Sequence, residues 1–218
     1  MLPGLLTSTS ITSTAFIQHS PPTALQYWLM PFLTSRLDYC NSLLYVGYCL
    51  PQSDGTFRAD GTITLITGPK TILVDTGGPW DREFLLMKLK ERSLIPSDID
   101  FVVGTHGHSD HIGNLSLFPT AVIFVGYDII FYNFHSIPQV SVVPSPGHTG
   151  QDVSVKVKGV SVGTLLVAGD LFECCSDEDI WRGHSMNTSV QELSREEALQ
   201  TADVIIPGHG PPFRVLRS

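Results

Sequence analysis

Apolar positions along the chain fall mostly into short runs bounded by glycine, proline or polar residues, which is the pattern of strands. Thr62-Ile63-Thr64-Leu65-Ile66 and Thr71-Ile72-Leu73-Val74 flank Gly68-Pro69, and together they predict a hairpin. Phe101-Val102-Val103, Ala121 to Val125, Thr164 to Ala168 and a last strand at Val204-Ile205-Ile206 are read the same way, with a further strand around Val140–Val143. Val153, Val155 and Val157 alternate with Ser154, Lys156 and Lys158, which predicts a strand with one face exposed. Helical spacing appears twice. Trp80 to Arg92 carries an apolar face of Phe84, Leu85 and Leu89. Ser189-Val190-Gln191-Glu192 has capping-box spacing ahead of a helix running to about Ala202. Paired strands first and strand–helix alternation later predict a layered α/β protein with mixed sheets, without internal repeat or second domain.

The N-terminal forty residues differ. Residues 1–25 are rich in Ser, Thr and Pro without sustained period, and are expected to be unstructured. The run from Thr34 to Tyr45, about twelve residues, resembles a segment of LINE-type retroelement reverse transcriptases; the other reading is a short helix ahead of the domain. On either reading, residues 1–40 stand outside the functional argument and the domain is expected over 41–218.

Composition narrows the class. The chain has 218 residues, 42% hydrophobic and 16% charged, enough for one domain with a sizeable core, which excludes wholesale disorder. Four cysteines make no disulfide framework and suggest a reducing compartment. A net charge of −8 argues against a generic nucleic-acid-binding surface, though not against nucleic acid held at one local site. No apolar run is long enough for a membrane span, and the start has no basic region of the signal-peptide kind.

The eight histidines matter through their placement. Thr105-His106-Gly107-His108-Ser109-Asp110-His111 follows the predicted strand at 101–103 and so lies in a loop at a strand end. Three imidazoles and a carboxylate within six residues cannot all pack into a core, but they suit metal ions, which zinc exemplifies by accepting N and O ligands at about 2.0–2.2 Å. Pro146-Gly147-His148-Thr149, Ala168-Gly169-Asp170 and Pro207-Gly208-His209-Gly210 each set another candidate ligand at a strand end beside glycine, which allows close approach or positive φ. A buried Asp170 would be costly alone and natural between two dications. Two dications would also bring the net charge from −8 to −4. The chemistry expected is hydrolysis by water activated between two metals, without a Ser or Cys nucleophile, and with Asp110 assisting proton transfer.

Together with Val74-Asp75-Thr76-Gly77, these motifs resemble the ordered motifs of the metallo-β-lactamase superfamily. That resemblance implies a four-layer αββα sandwich with its metal site at one edge of the sheets. It implies a first zinc on His106, His108 and His148, a second on Asp110, His111 and His209, a bridging Asp170, and Asp75 as an acceptor that orients the metal loop rather than a ligand. Only 38 residues separate Asp170 from His209, too few for the inserted domain of RNA-cleaving β-CASP nucleases, and the nine residues after His209 do not accommodate the helical substrate domain of glyoxalase II.

A closer resemblance within the superfamily runs from about residue 44 onward. It is carried by Gly55, Arg58-Ala59-Asp60-Gly61, Val74 to Trp80, Val103 to Leu115 and Pro207 to Arg217. It implies a zinc endoribonuclease acting on RNA at the 3′ end of histone pre-mRNA, homodimeric, cytoplasmic and nuclear; that no membrane is involved is expected from the apolar pattern alone. The alternatives are a thioester or ester hydrolase of glyoxalase II type, a mononuclear iron dioxygenase on the same fold, and a noncatalytic binding protein. Arg58, Arg82, Arg182 and Arg214 are candidate phosphate contacts. His135 and His184 are more readily surface or packing residues than pocket residues, Cys174 and Cys175 free thiols, and Tyr127, Phe131, Tyr132 and Phe134 core.

Overall fold

A computed structural model of the protein describes residues 40–131 and 137–217. The chain forms, in order, β1 (Cys40–Tyr45), β2 (Tyr48–Pro51), β3 (Phe57–Asp60), β4 (Ile63–Thr67), β5 (Ile72–Val74), α1 (Arg82–Glu91), β6 (Phe101–Gly104), α2 (Ser109–Ile112) and β7 (Val122–Val125). There follow β8 (Val140–Pro144), β9 (Val153–Val160), β10 (Gly163–Gly169), α3 (Thr188–Thr201), β11 (Val204–Pro207) and β12 (Phe213–Arg214). One sheet has the order β1-β4-β5-β6-β7, a second the order β12-β11-β10-β9-β8, and β2 and β3 make a separate hairpin. The expected hairpin of β4 and β5 is present, with Leu65 opposite Leu73.

Period-two alternation builds the layers. Ile66, Ile72, Val74 and Val103 of the first sheet meet Val153, Val155, Val157, Leu165, Val167, Val204 and Ile206 of the second in one core. The alternate residues Leu65, Leu73 and Val102 face outward onto Leu85 and Leu89 of α1. Leu166, Ala168 and Ile205 face outward onto Ala198 and Ala202, at the C-terminal end of α3. The result is the αββα sandwich expected from the motifs. Tyr127 packs against the inter-sheet core, as expected.

Several local expectations are corrected. Cys40–Tyr45 is an edge strand paired with β4, not a helix, and its Leu44 and half-buried Tyr45 pack with α1, where the Tyr45 and Phe84 rings lie 5.1 Å apart. β11 is not the last strand, since the two-residue β12 pairs with it. β9 is less exposed than its alternation predicts: Ser154 is fully buried, its Oγ 2.7 Å from Ser145 Oγ and 3.4 Å from the Ala168 carbonyl, which seat it between the chain past β8 and the end of β10. The cap of α3 is Asn187, whose side-chain oxygen accepts from Val190 N at 3.2 Å, so Ser189 lies inside the helix. Thr34 to Tyr39, residues 1–25, Tyr132, Phe134 and His135 lie outside the described residues, as does the side chain of Phe131.

Strand direction positions the site. β5, β6 and β7 run parallel in the first sheet. β10 and β11 run parallel in the second, and β8 shares their direction because β9 is antiparallel to both β8 and β10. The C-terminal ends of β5, β6, β8, β10 and β11 carry Asp75, the His106–His111 segment, His148, Asp170 and His209 respectively.

Candidate metal centre

Each loop is held by its own polar anchors. Asp75 leaves β5 with φ +60, a left-handed conformation that Asp tolerates better than most residues. Its carboxylate is thereby turned to accept from Thr105 N at 2.7 Å, Thr105 Oγ1 at 3.0 Å and His111 Nδ1 at 2.8 Å. Because Thr105 Oγ1 donates to Asp75, it is left to accept from His106 Nδ1, 3.1 Å away. One carboxylate thus sets the tautomer of two imidazoles, and both present Nε2 to the cavity. His209 Nδ1 donates to the Asp60 carbonyl at 3.0 Å and also presents Nε2.

The second sheet's loops are fixed comparably. Asp152 accepts from the backbone N–H of Gly147 and Thr149 and from the Thr149 hydroxyl, closing the His148 loop. Gly147 has φ +141 and lies against the Gln191 backbone, so a side chain there would be both strained and obstructed. Gly208 lies against Asp170 Oδ1, leaving no room for a Cβ. The buried Gln191 of α3 donates to the Asp170 carbonyl at 3.0 Å, tying helix to metal loop.

All seven sequence-derived ligand candidates come together. His106, His108, His148 and Asp170 offer ligand atoms within 4.8 Å of one another, and so do Asp110, His111 and His209. His108 Nδ1 lies 2.9 Å from His106 Nε2 and 3.0 Å from His148 Nε2. Asp170 Oδ2 is 3.3 Å from His148 Nε2 and 3.2 Å from His209 Nε2, and Oδ1 is 3.1 Å from His111 Nε2, so Asp170 sits between the groups. Asp110 Oδ2 is 3.7 Å from both His111 Nε2 and His209 Nε2. A third group, which sequence reasoning missed, joins Asp170 and His209 with Glu173. Its only signal is a lone carboxylate three residues past Asp170, among apolar neighbours. The role of Asp60 was also missed; besides its carbonyl, its buried carboxylate accepts from Gly78 N at 2.8 Å.

The donor set fits a pair of cations. His111 Nε2 and Asp170 Oδ1 are buried and close, yet neither makes a hydrogen bond. Orphaned groups of this kind are costly in a protein interior unless an ion takes them up. The electrostatics agree. Burial works against a charged His111, but the Asp170 and Asp75 carboxylates outweigh it and hold the imidazole well above its usual range. Burial lowers His106, with the neighbouring His111 adding to it. His209 overcomes burial through Asp170 and rises to about 9. Asp170 is held well below the carboxylate range, despite burial, by His111 and His209. Burial, then the Asp170 charge, push Glu173 up to about 8. A cluster whose members compete this way for protons is one in which dications would leave the imidazoles neutral and the carboxylates ionised.

The remaining candidates lie outside this cluster. Arg182 is engaged by Asp179 and Glu192 and stacks on Trp181, and Arg82 lies beside Glu83. Arg58 is exposed on the β2–β3 hairpin, and Arg214 is exposed on β12. His184 packs edge-on against Phe57 of that hairpin, with ring centroids 5.0 Å apart. Cys174 is half-buried and Cys175 exposed, both free thiols. A cavity of about 370 Å³ opens beside His106 and His108, bounded by Val125, Gly126 and Thr149 to Gln151. Among the described residues no helix is long and apolar enough to cross a membrane.

The chain belongs to the metallo-β-lactamase superfamily, whose family model matches residues 58–129. It is 44% identical to metallo-beta-lactamase domain-containing protein 1 of Xenopus laevis over 93% of this chain and 94% of that protein. It is 43% identical to the protein of the same name from Homo sapiens, over 86% of each. Among solved structures, a metallo-beta-lactamase from Thermotoga maritima superimposes with a TM-score of 0.64 at 21% identity, covering 81% of this chain and 99% of that one, a likeness of fold.

Proposed function

We propose that the protein is a dinuclear zinc hydrolase, with His106, His108 and His148 holding one ion, Asp110, His111 and His209 the other, and Asp170 between them. The observation that carries this reading is the convergence of five imidazoles and two carboxylates from both sheets at one edge, with orphaned ligand atoms buried among them. Bound there, two cations would supply a water nucleophile active near neutral pH and positive charge for the developing oxyanion. The chain's own residues do the rest. Asp75 and the Asp60 carbonyl keep Nε2 of His111 and His209 free of protons, and Thr105 relays the same constraint to His106. Asp110 is half-buried at the rim beside His111 and His209, where a carboxylate is suited to accept the proton released as water adds.

For substrate, we infer RNA, cleaved at the 3′ end of histone pre-mRNA by a homodimer found in cytoplasm and nucleus. Support comes from the extent of the likeness to metallo-beta-lactamase domain-containing protein 1 and from the motifs carrying it. The test is cleavage of a labelled histone pre-mRNA 3′ segment by zinc-loaded protein, beside His111→Ala. Zinc-dependent cutting that falls at least about a hundredfold in the variant is expected. A folded two-zinc protein that leaves the RNA intact while hydrolysing small thioesters or esters would overturn the RNA reading and leave the hydrolase reading standing.

A further inference from the structure

We propose that Glu173 is an additional ligand in this centre, sharing with His209 and Asp170 the cation assigned to the second position. The inference rests on the two-ion reading above. It starts from an unexplained carboxylate. The Glu173 side chain is only 7% exposed, and no donor among the described residues hydrogen-bonds its oxygens. Arg195, which reaches this loop at the Leu171 carbonyl, is committed to a two-pronged pair with Asp177. A nearly buried carboxylate that accepts no hydrogen bond and has only the distant His209 ring for an ion pair is of the kind ordinarily paired more closely or bound to metal.

The backbone holds Glu173 against His209. Asp177 accepts from Glu173 N at 2.9 Å, and His209 N donates to the Glu173 carbonyl at 2.9 Å. The side chain then reaches Nε2, the ring nitrogen that faces the centre, with Oε2 at 4.0 Å. Two donors each about 2.1 Å from one ion can stand at most about 4.2 Å apart, so this separation lets both bind the same cation. Asp110 and Asp170 stand at 3.7 and 3.2 Å from the same nitrogen. With Glu173 the second position gains a third carboxylate beside His111 and His209, while the first keeps its three imidazoles. Oxygen-rich sets of higher coordination number suit harder ions, so the two positions differ in kind and the second accepts Mn²⁺ readily.

The experiment titrates metal-free, full-length protein with Zn²⁺ and with Mn²⁺, reading zinc by chelator competition and manganese by paramagnetic resonance, for wild type, Glu173→Gln and Glu173→Asp. Glu173→Gln keeps the side-chain shape and both backbone contacts. The expected result is two ions in the wild type and, in Glu173→Gln, a loss of about tenfold or more in affinity for one equivalent with the other changed less than about twofold. Glu173→Asp is expected to recover part of that loss. Two ions in the wild type with both affinities unmoved in Glu173→Gln would overturn the role of Glu173 and leave the dinuclear reading intact. Fewer than two ions in the wild type would overturn both. Should either variant fail to fold, anomalous diffraction from Mn²⁺-loaded wild type decides: a Glu173 oxygen within coordination distance of the ion supports the ligand, and one beyond 3 Å removes it.

Discussion

At the scale of single residues, Asp75 carries more of the centre than its count of contacts suggests. It receives Nδ1–H of His111 directly and that of His106 through Thr105. In Asp75→Asn the amide lacks the charge and the second acceptor, and one of the two rings loses its enforced tautomer. Metal affinity is expected to fall about 10- to 100-fold, read by chelator competition, while the fold persists by circular dichroism. Asp60 makes the second residue-scale prediction. Burial, then the neighbouring Asp81, push its carboxyl up to about 7. A carboxyl raised in the folded state makes a stability contribution that is complete below its unfolded pKa near 4 and lost as pH rises through 7. Urea unfolding of metal-free protein should therefore show about 3 kcal/mol less stability at pH 8 than at pH 4.5 from this group, a difference that Asp60→Asn abolishes. An unchanged pH profile in the variant would assign the slope to other carboxyls.

At the scale of elements, α3 shows where local sequence rules stop. Ser189-Val190-Gln191-Glu192 has the spacing of a capping box, yet the chain leaves its extended path two residues earlier, at Asn187. The reason is tertiary: Asn187 N donates to the Gly147 carbonyl and Met186 N to that of His148, which pins the helix start to the His148 loop. Asn187→Ala should cost about 1 kcal/mol in urea unfolding and Ser189→Ala less than about 0.5 kcal/mol; the reverse order would mean the cap lies at Ser189. The same geometry explains Gln191, which a helical pattern leaves unremarked. Gln191→Met keeps the bulk but loses the bond to the Asp170 carbonyl, and should cost about 1–2 kcal/mol by urea unfolding.

At the scale of the whole molecule, the centre draws its residues from both sheets. His106, His108, Asp110 and His111 follow β6 of the first, whereas His148, Asp170 and His209 follow β8, β10 and β11 of the second. Bound cations would join the two halves at one edge, beyond what the inter-sheet core of valines, isoleucines and leucines provides. With free zinc a hundredfold above its Kd, each ion bound only by the folded state adds about 2.7 kcal/mol. Removing zinc with a chelator should then lower the unfolding temperature by about 5 °C or more, and hydrogen exchange should speed up at residues 105–112 and 145–152 before it does in β10. An unfolding temperature indifferent to chelation would mean that the sheets are held without help from the edge.

The sequence by itself determined those features whose information is local. Four candidate ligands within six residues, and three more each beside glycine after an apolar run, mark a candidate metal centre at strand ends because few other environments tolerate so many imidazoles and carboxylates together. Short apolar runs bounded by glycine, proline or polar residues likewise determined the place of most strands, because a buried strand needs apolar residues and its ends need turns. Tertiary structure alone decided what depends on neighbours distant in the chain. It made Cys40–Tyr45 a strand by pairing it with β4, buried Ser154 against Ser145 and Ala168, and moved the helix cap to Asn187. It also brought the Asp60 carbonyl and the Glu173 carboxylate to His209. A carbonyl has no side-chain signature, and a single glutamate in an apolar stretch has no partner until folding supplies one. Their roles come from desolvation and proximity, which arise only when the two sheets close.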